Sequence, residues 1–211
     1  MKSIIEGVSS FHRNQFRANQ ELFEHLSHGQ SPRYLFITCS DSRVVPNLLT
    51  GLGPGDLFAI RNVGTIVPPP TAGPSGEAAS IEYAVMMLEV KHIIICGHTH
   101  CGAVTSLFEP ERLESLPAVA GFLQYAEPVR RIMKTRYPRL QGEERVTHAV
   151  KENVLVQLNH LRSIGSVASA LRRGDLQLHG WVYLMDEGDV LAYDSSEKQF
   201  IPVEEWLERR A

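Results

Sequence analysis

Apolar positions divide the first sixty residues of the chain into helix-like and strand-like stretches. From Ile4 to His28 the apolar residues recur at near-helical spacing and Gly29 ends the run, which predicts one or two amphipathic helices. Residues 34–39 form a short, apolar, partly β-branched run between polar residues, which predicts a buried strand. Residues 56–60 are a second candidate strand, because a Gly-Pro-Gly turn precedes them.

The next stretch of the chain repeats the alternation of helix and strand. Residues 68–76 hold too many prolines and glycines for regular structure and are predicted to form a loop. Residues 77–89 place their apolar side chains on one helix face, and residues 92–96 form the most apolar strand candidate. Strand, helix and strand in this order predict a parallel sheet with right-handed crossovers.

The remainder of the chain is predicted to be helical and then to end in strands. The pattern is mostly helical over residues 102–173, and a strand pair fits 177–185 and 190–193. We therefore predict a single α/β domain with a mainly parallel central sheet flanked by helices, extended amino-terminal helices and an antiparallel edge strand near the carboxyl terminus. Residues 1–30 would form a helical arm and residues 31–211 the core.

Composition and charge narrow the class of protein. The 211 residues are 43% hydrophobic and 21% charged, as in an ordinary globular domain, and the formal net charge is -3 without a run of like charges. Nucleic acid and anionic membranes are therefore not expected partners. Three cysteines and no signal-like apolar segment favour free thiols in the cytoplasm.

Residues with reactive or metal-binding side chains follow two of the predicted strands. The segment Cys39-Ser40-Asp41-Ser42-Arg43 begins where the strand at 34–39 ends, and His98-Thr99-His100-Cys101-Gly102 lies just beyond the strand at 92–96. The carboxyl ends of parallel strands share one edge of a sheet, so the two segments are expected to meet there.

These residues predict a metal site. Two cysteines and one histidine suit the borderline-soft Zn²⁺, and three protein ligands leave a fourth position open. Spacing alone does not choose between His98 and His100, whereas Cys96 is expected to be a core residue. A thiol phosphatase is disfavoured because Arg43 follows Cys39 by four positions rather than six.

The motifs together resemble those of the β-class carbonic anhydrases. C-S-D-S-R at 39–43, R-N-x-G at 61–64 and H-x-x-C-G at 98–102 match that family in order and spacing, over about residues 31–104. The resemblance implies zinc ligands Cys39, His98 and Cys101, and a catalytic pair of Asp41 and Arg43.

The resemblance also implies a substrate pocket and a subtype. Phe36 stands where the bicarbonate-regulated subtype has a tryptophan, so the plant-like subtype is expected, most similar to bacterial enzymes associated with cyanate metabolism. The substrate pocket of the plant-like subtype is matched in this sequence by Gln30, Phe58, Val63, Tyr83 and Gly102.

The function implied by the resemblance is reversible hydration of CO₂ to bicarbonate and a proton by attack of zinc-bound hydroxide. Members of the family are homodimers or larger homo-oligomers. Three alternatives remain at this stage: a carbonyl sulfide or carbon disulfide hydrolase on the same fold, a noncatalytic zinc-stabilised binding module, and a redox thiol protein. The absence of a CxxC sequence weakens the last of these.

Overall fold

The computed structural model describes residues 1–210, and their contacts group them into two compact units. The first unit, Met1–Ser31, contains α1 (Lys2–Ser10), a π-helical segment (Phe11–Phe16) and α2 (Gln20–Ser27). Helices were predicted here, and the π-helical turn between them was not. The ring of Phe23 packs edge-to-face against Phe11 and stacks on Phe16, whereas the apolar face of α1 is exposed.

The second unit begins at Pro32 and is built on a six-stranded sheet in the order β2-β1-β3-β4-β5-β6. The pairings β2–β1, β1–β3 and β3–β4 are parallel, and the last two are antiparallel. The predicted fold class is confirmed. The strands are β1 (Tyr34–Cys39), β2 (Leu57–Asn62), β3 (His92–His98), β4 (Gln177–Tyr183), β5 (Val190–Asp194) and β6 (Gln199–Pro202).

Helices flank this sheet, and most of the described segment between 102 and 173 is helical, as predicted. None of the helices in residues 1–210 combines the length and apolarity needed to cross a membrane. Short 3-10 turns lie at 70–72, 110–113 and 124–126. The helices are α3 (Pro46–Thr50), α4 (Gly76–Met86), α5 (Gly102–Ser106), α6 (Pro117–Leu123), α7 (Glu127–Arg136), α8 (Gly142–Ser163), α9 (Gly165–Arg173) and α10 (Val203–Glu208).

Both faces of the central strands are buried, which explains their continuous apolar sequences. Ile93 and Ile95 of β3 point into the larger core, whereas Phe36 and Ile94 lie in a smaller cluster with Cys96. The expectation that Cys96 is a core residue is confirmed, since it has no exposed surface.

Helix α8 lies so close to the sheet that two strand positions are restricted to glycine. A Cβ atom added at Gly97 would lie 2.8 Å from Val150 Cγ1, and one added at Gly180 would lie 2.8 Å from Val154 Cγ1. These contacts fix α8 against β3 and β4, next to the edge where the predicted site residues lie.

Candidate metal centre and active site

The strand register brings the two segments with reactive or metal-binding side chains to one edge of the sheet. Strands β1 and β3 are parallel neighbours in which Thr38 pairs with Cys96, so Cys39 at the end of β1 lies beside the last residues of β3. Strand β3 continues two residues beyond its predicted end and finishes at His98. A turn then leads to Cys101, which precedes the first residue of α5.

Cys39, His98 and Cys101 form a compact group that could hold a metal ion. Their sulfur and ring nitrogen atoms all lie within 4.8 Å of one another, and the three residues are 5%, 1% and 2% exposed. Ligands of a tetrahedral zinc ion are separated by roughly 3.5–3.8 Å, so the group needs only a small contraction to bind one.

A backbone hydrogen bond fixes the tautomer of His98. Its Nδ1 lies 2.8 Å from the carbonyl oxygen of Thr99, which can only accept, so Nδ1 carries the proton and donates it. The lone pair is therefore on Nε2, which is buried and has no hydrogen-bond partner among residues 1–210. Metal-bound histidines are oriented in this way.

The two cysteines differ in acidity because they are close together. Hydrogen bonding from Cys101 lowers the pKa of the Cys39 thiol, and backbone groups of Gly64 and Asp41 act in the same direction. The same interaction with Cys39, together with burial, raises the pKa of Cys101. One sulfur is thus prepared as a thiolate, and a divalent cation would favour ionisation of both.

Asp41 and Arg43 form a two-pronged ion pair beside this group. Arg43 Nε donates to Asp41 Oδ1 at 2.9 Å, Nη2 donates to Oδ2 at 2.8 Å, and the backbone N–H of Arg43 donates to Oδ1 at 3.0 Å. The guanidinium therefore holds the pKa of the Asp41 carboxyl well below its ordinary value. Asp41 Oδ2 lies 4.0 Å from Nε2 of His98, so this carboxylate borders the metal-binding group.

His100 does not join the group. Its backbone is left-handed, with φ of 57°, and its ring Nε2 lies 2.5 Å from Oδ2 of Asp186. Its carbonyl oxygen accepts a hydrogen bond from Arg43 Nη2 at 3.2 Å. Of the two histidines that spacing left open, the structure thus brings His98 to the cysteines and turns His100 away.

Four of the predicted substrate-binding residues lie in the sheet unit. The rings of Phe58 and Tyr83 are 6.1 Å apart between centroids, Val63 follows β2, and Gly102 is the first residue of α5. Val63 is 40% exposed and Tyr83 46% exposed. The fifth residue, Gln30, lies in the amino-terminal unit after the end of α2 and is exposed.

Arg61 is a site residue to which the sequence analysis gave no role. Its Nε donates to the Cys39 carbonyl at 3.2 Å and its Nη2 to the Asp41 carbonyl at 2.8 Å, so it fixes the backbone that carries both side chains. The R-N-x-G motif and the position of Arg61 at the end of β2 were the signals that could have identified it.

Two buried amides on α8 also support the site, and the sequence analysis gave neither of them a role. Asn153 donates to the Gly64 carbonyl at 2.9 Å, and Gln157 accepts from the Val67 N–H at 2.9 Å. Gln157 Nε2 in turn donates to Asn153 Oδ1 at 2.8 Å. These bonds hold a loop in which Gly64 and Thr65 both have positive φ angles. After the hydrogen bond from Cys101, which has the largest effect, the Gly64 backbone is one of the groups that lower the pKa of Cys39.

Comparison with known proteins agrees with this geometry. Residues 34–190 match the family model described as Carbonic anhydrase. The carbonic anhydrase of Synechocystis sp. is 49% identical over 202 residues, which are 95% of this chain and 74% of that protein.

Two solved structures extend the likeness to the fold. The β-carbonic anhydrase CcaA is 48% identical with a TM-score of 0.93, covering 96% of this chain and 98% of that one. A tetrameric β-carbonic anhydrase of Sordaria macrospora is 28% identical with a TM-score of 0.83, covering 90% and 95%. The chain therefore belongs to the β-class carbonic anhydrases and is an enzyme of that family.

Proposed function

We propose that this chain catalyses the reversible hydration of CO₂ to bicarbonate and a proton with a zinc ion held by Cys39, His98 and Cys101. The unpartnered Nε2 of His98 is the observation that carries the proposal. A buried nitrogen lone pair without a donor is costly, and here it faces two sulfurs in a group of metal-binding size. Two thiolates and one imidazole suit Zn²⁺ better than harder cations.

The bound zinc ion would acidify a water molecule and so supply the nucleophile for CO₂ near neutral pH. His98 enters this site as a neutral ligand because the Thr99 carbonyl keeps the proton on Nδ1. The three protein ligands leave a fourth tetrahedral position for the water.

Asp41 would accept a hydrogen bond from that water. It stays ionised because Arg43 and its backbone N–H together satisfy both carboxylate oxygens. The same two-pronged contact would keep the carboxylate from turning toward the metal-binding group, so that Asp41 would serve as a fixed acceptor.

The apolar residues near the site suit an apolar substrate. Phe58, Val63 and Tyr83 would hold CO₂ by packing and by excluding water. As the oxygens of CO₂ become negative, the N–H of Gly102 would donate a hydrogen bond to one of them.

The proposal includes a homodimer or larger homo-oligomer in the cytoplasm. Val63 and Tyr83 are apolar and substantially exposed, so a second copy could complete the pocket wall, and a tetrameric relative has the same fold. Three free thiols fit a reducing compartment. Light scattering over a micromolar dilution series tests the assembly, and a monomer at every concentration would contradict it.

The test of the reaction compares two variants that each lose one buried thiol. Cys101→Ala should release the zinc and abolish CO₂ hydration. Cys96→Ala should keep both, because Cys96 lies in the smaller apolar cluster with Phe36 and Ile94. Zinc content by elemental analysis and stopped-flow hydration rates are measured on the same samples. Wild-type protein that binds zinc without hydrating CO₂ would instead favour a noncatalytic zinc-stabilised module. Full activity in Cys101→Ala would remove this cysteine from the site.

A further inference from the structure

A cavity of about 640 Å³ lies among the helices from α5 to α8, in the sheet unit. This volume is in the range of small-molecule binding sites. Its lining combines polar and charged side chains with apolar ones, which are contributed by Phe108, Leu113, Leu123, Met133 and Leu140. None of these residues belongs to the metal-binding group or to the predicted substrate pocket.

The border of the cavity carries positive charge that the protein does not neutralise. Glu127 lies there but is already bound by Arg130, through hydrogen bonds of 2.8 Å to each of its oxygens. Arg145 and Lys134 also line the cavity, and among residues 1–210 no carboxylate lies within 4 Å of either charged group. After Glu127 and Arg130 cancel, two positive charges remain.

Arg145 is held in a position suited to ligand binding. Its guanidinium carbon lies 4.6 Å from the centroid of the Phe108 ring, so the planar group stacks on an apolar wall of the cavity. Its Nε is buried and has no hydrogen-bond partner among the residues that the structure describes. The arginine is thus positioned by stacking while its buried Nε lacks an acceptor, and an anion would compensate for the desolvation of that donor.

We propose that this cavity binds a small aromatic carboxylate. The apolar side chains of the lining would contact the ring, and Arg145 with Lys134 would bind the carboxylate. Planar guanidinium and carboxylate groups form paired hydrogen bonds, which favours a carboxylate over a neutral polar group. The site does not depend on the metal, so its existence is independent of the proposed CO₂ hydration.

Titration calorimetry of the zinc-loaded protein with 2-naphthoate and 2-naphthamide tests this proposal. The two probes share the ring system and differ in charge. We expect 2-naphthoate to bind with a dissociation constant below about 1 mM and the amide at least about ten-fold more weakly. Equal affinities, or no binding of 2-naphthoate at millimolar concentration, would overturn the proposal.

Three variants locate the bound anion. Arg145→Gln should weaken 2-naphthoate binding about ten-fold, and Lys134→Gln, at an exposed position that tolerates change, should weaken it about three-fold. Arg139→Gln removes the same charge from an exposed residue that does not line the cavity, and should leave binding unchanged. If both cavity variants bound 2-naphthoate as tightly as the wild type, the anion would bind elsewhere, for example at the metal, and the assignment would be overturned. CO₂ hydration by all three variants should equal that of the wild type.

Discussion

Replacement of Asn153 by alanine tests whether a buried amide on α8 maintains the metal site from a distance. The side chain is 1% exposed and makes two hydrogen bonds, as donor to the Gly64 carbonyl and as acceptor from Gln157. Truncation leaves both of those partners buried without a substitute. Each unsatisfied group costs about 1–3 kcal/mol, so the free energy of unfolding should fall by about 2–6 kcal/mol.

The same substitution should weaken zinc binding. Loss of the Asn153 hydrogen bond frees the Gly64 backbone, which otherwise helps to lower the pKa of the Cys39 thiol. The Cys39 pKa should then rise, and the thiolate should become less available. Loss of a residue that hydrogen-bonds a metal ligand typically reduces metal affinity about 10–100-fold, and we expect about 10-fold here, because Asn153 acts through an intervening residue.

Urea denaturation and competition with a chromophoric zinc chelator measure the two effects. The matched control is Asn159→Ala on the same helix, since Asn159 is exposed and its side chain accepts a hydrogen bond from Arg162, also on that helix. The control should change stability by less than about 0.5 kcal/mol. If Asn153→Ala were as stable as the control and bound zinc as tightly as the wild type, the amide network would have no supporting role.

Three further predictions concern the reaction, the packing and the pH dependence of stability. Asp41→Asn should retain zinc, but its CO₂ hydration rate should fall at least about 100-fold, because an amide can offer an N–H where an acceptor is required. An undiminished hydration rate would exclude the proposed role of Asp41. Gly180→Ala should lower the free energy of unfolding by about 1–3 kcal/mol in urea titrations, since its Cβ would lie 2.8–2.9 Å from α8 side chains; an unchanged midpoint would contradict the packing. Burial, His92 and Arg210 lower the pKa of His179 to about 4. Because the unfolded chain binds this proton first, stability should fall by about 1–3 kcal/mol as pH drops from 6.5 to 4, and His179→Gln should flatten that decline.

The sheet and the site edge could be predicted because they depend on local patterns and one topological rule. Apolar runs mark β1 and β3, and parallel strands place their carboxyl ends together, so Cys39 was expected near the 98–102 segment. Spacing could not decide between His98 and His100, since β3 ends two residues later than its apolar run. The structure separates the two rings through the left-handed backbone at His100, which no local pattern signals.

The features that the sequence did not reveal depend on contacts between distant segments. Asn153 and Gln157 resemble ordinary polar positions on a long helix, and they are buried only because the 64–67 loop packs over them. Strand β6 was missed since its four residues include an exposed glutamine and a proline, as is common for an edge strand. Helix α10 follows that strand and was missed with it.

The geometry of the site links the proposed proton acceptor to the metal-binding turn. Arg43 donates to both oxygens of Asp41 and also to the carbonyl of His100, the residue directly before Cys101. Asp186 holds the ring of His100 from the other side. The Arg43 guanidinium therefore links the Asp41 carboxylate to the turn that carries Cys101, so we expect a displacement of either to affect the other. Coupling of this kind explains how an exposed arginine can determine the geometry of a buried site.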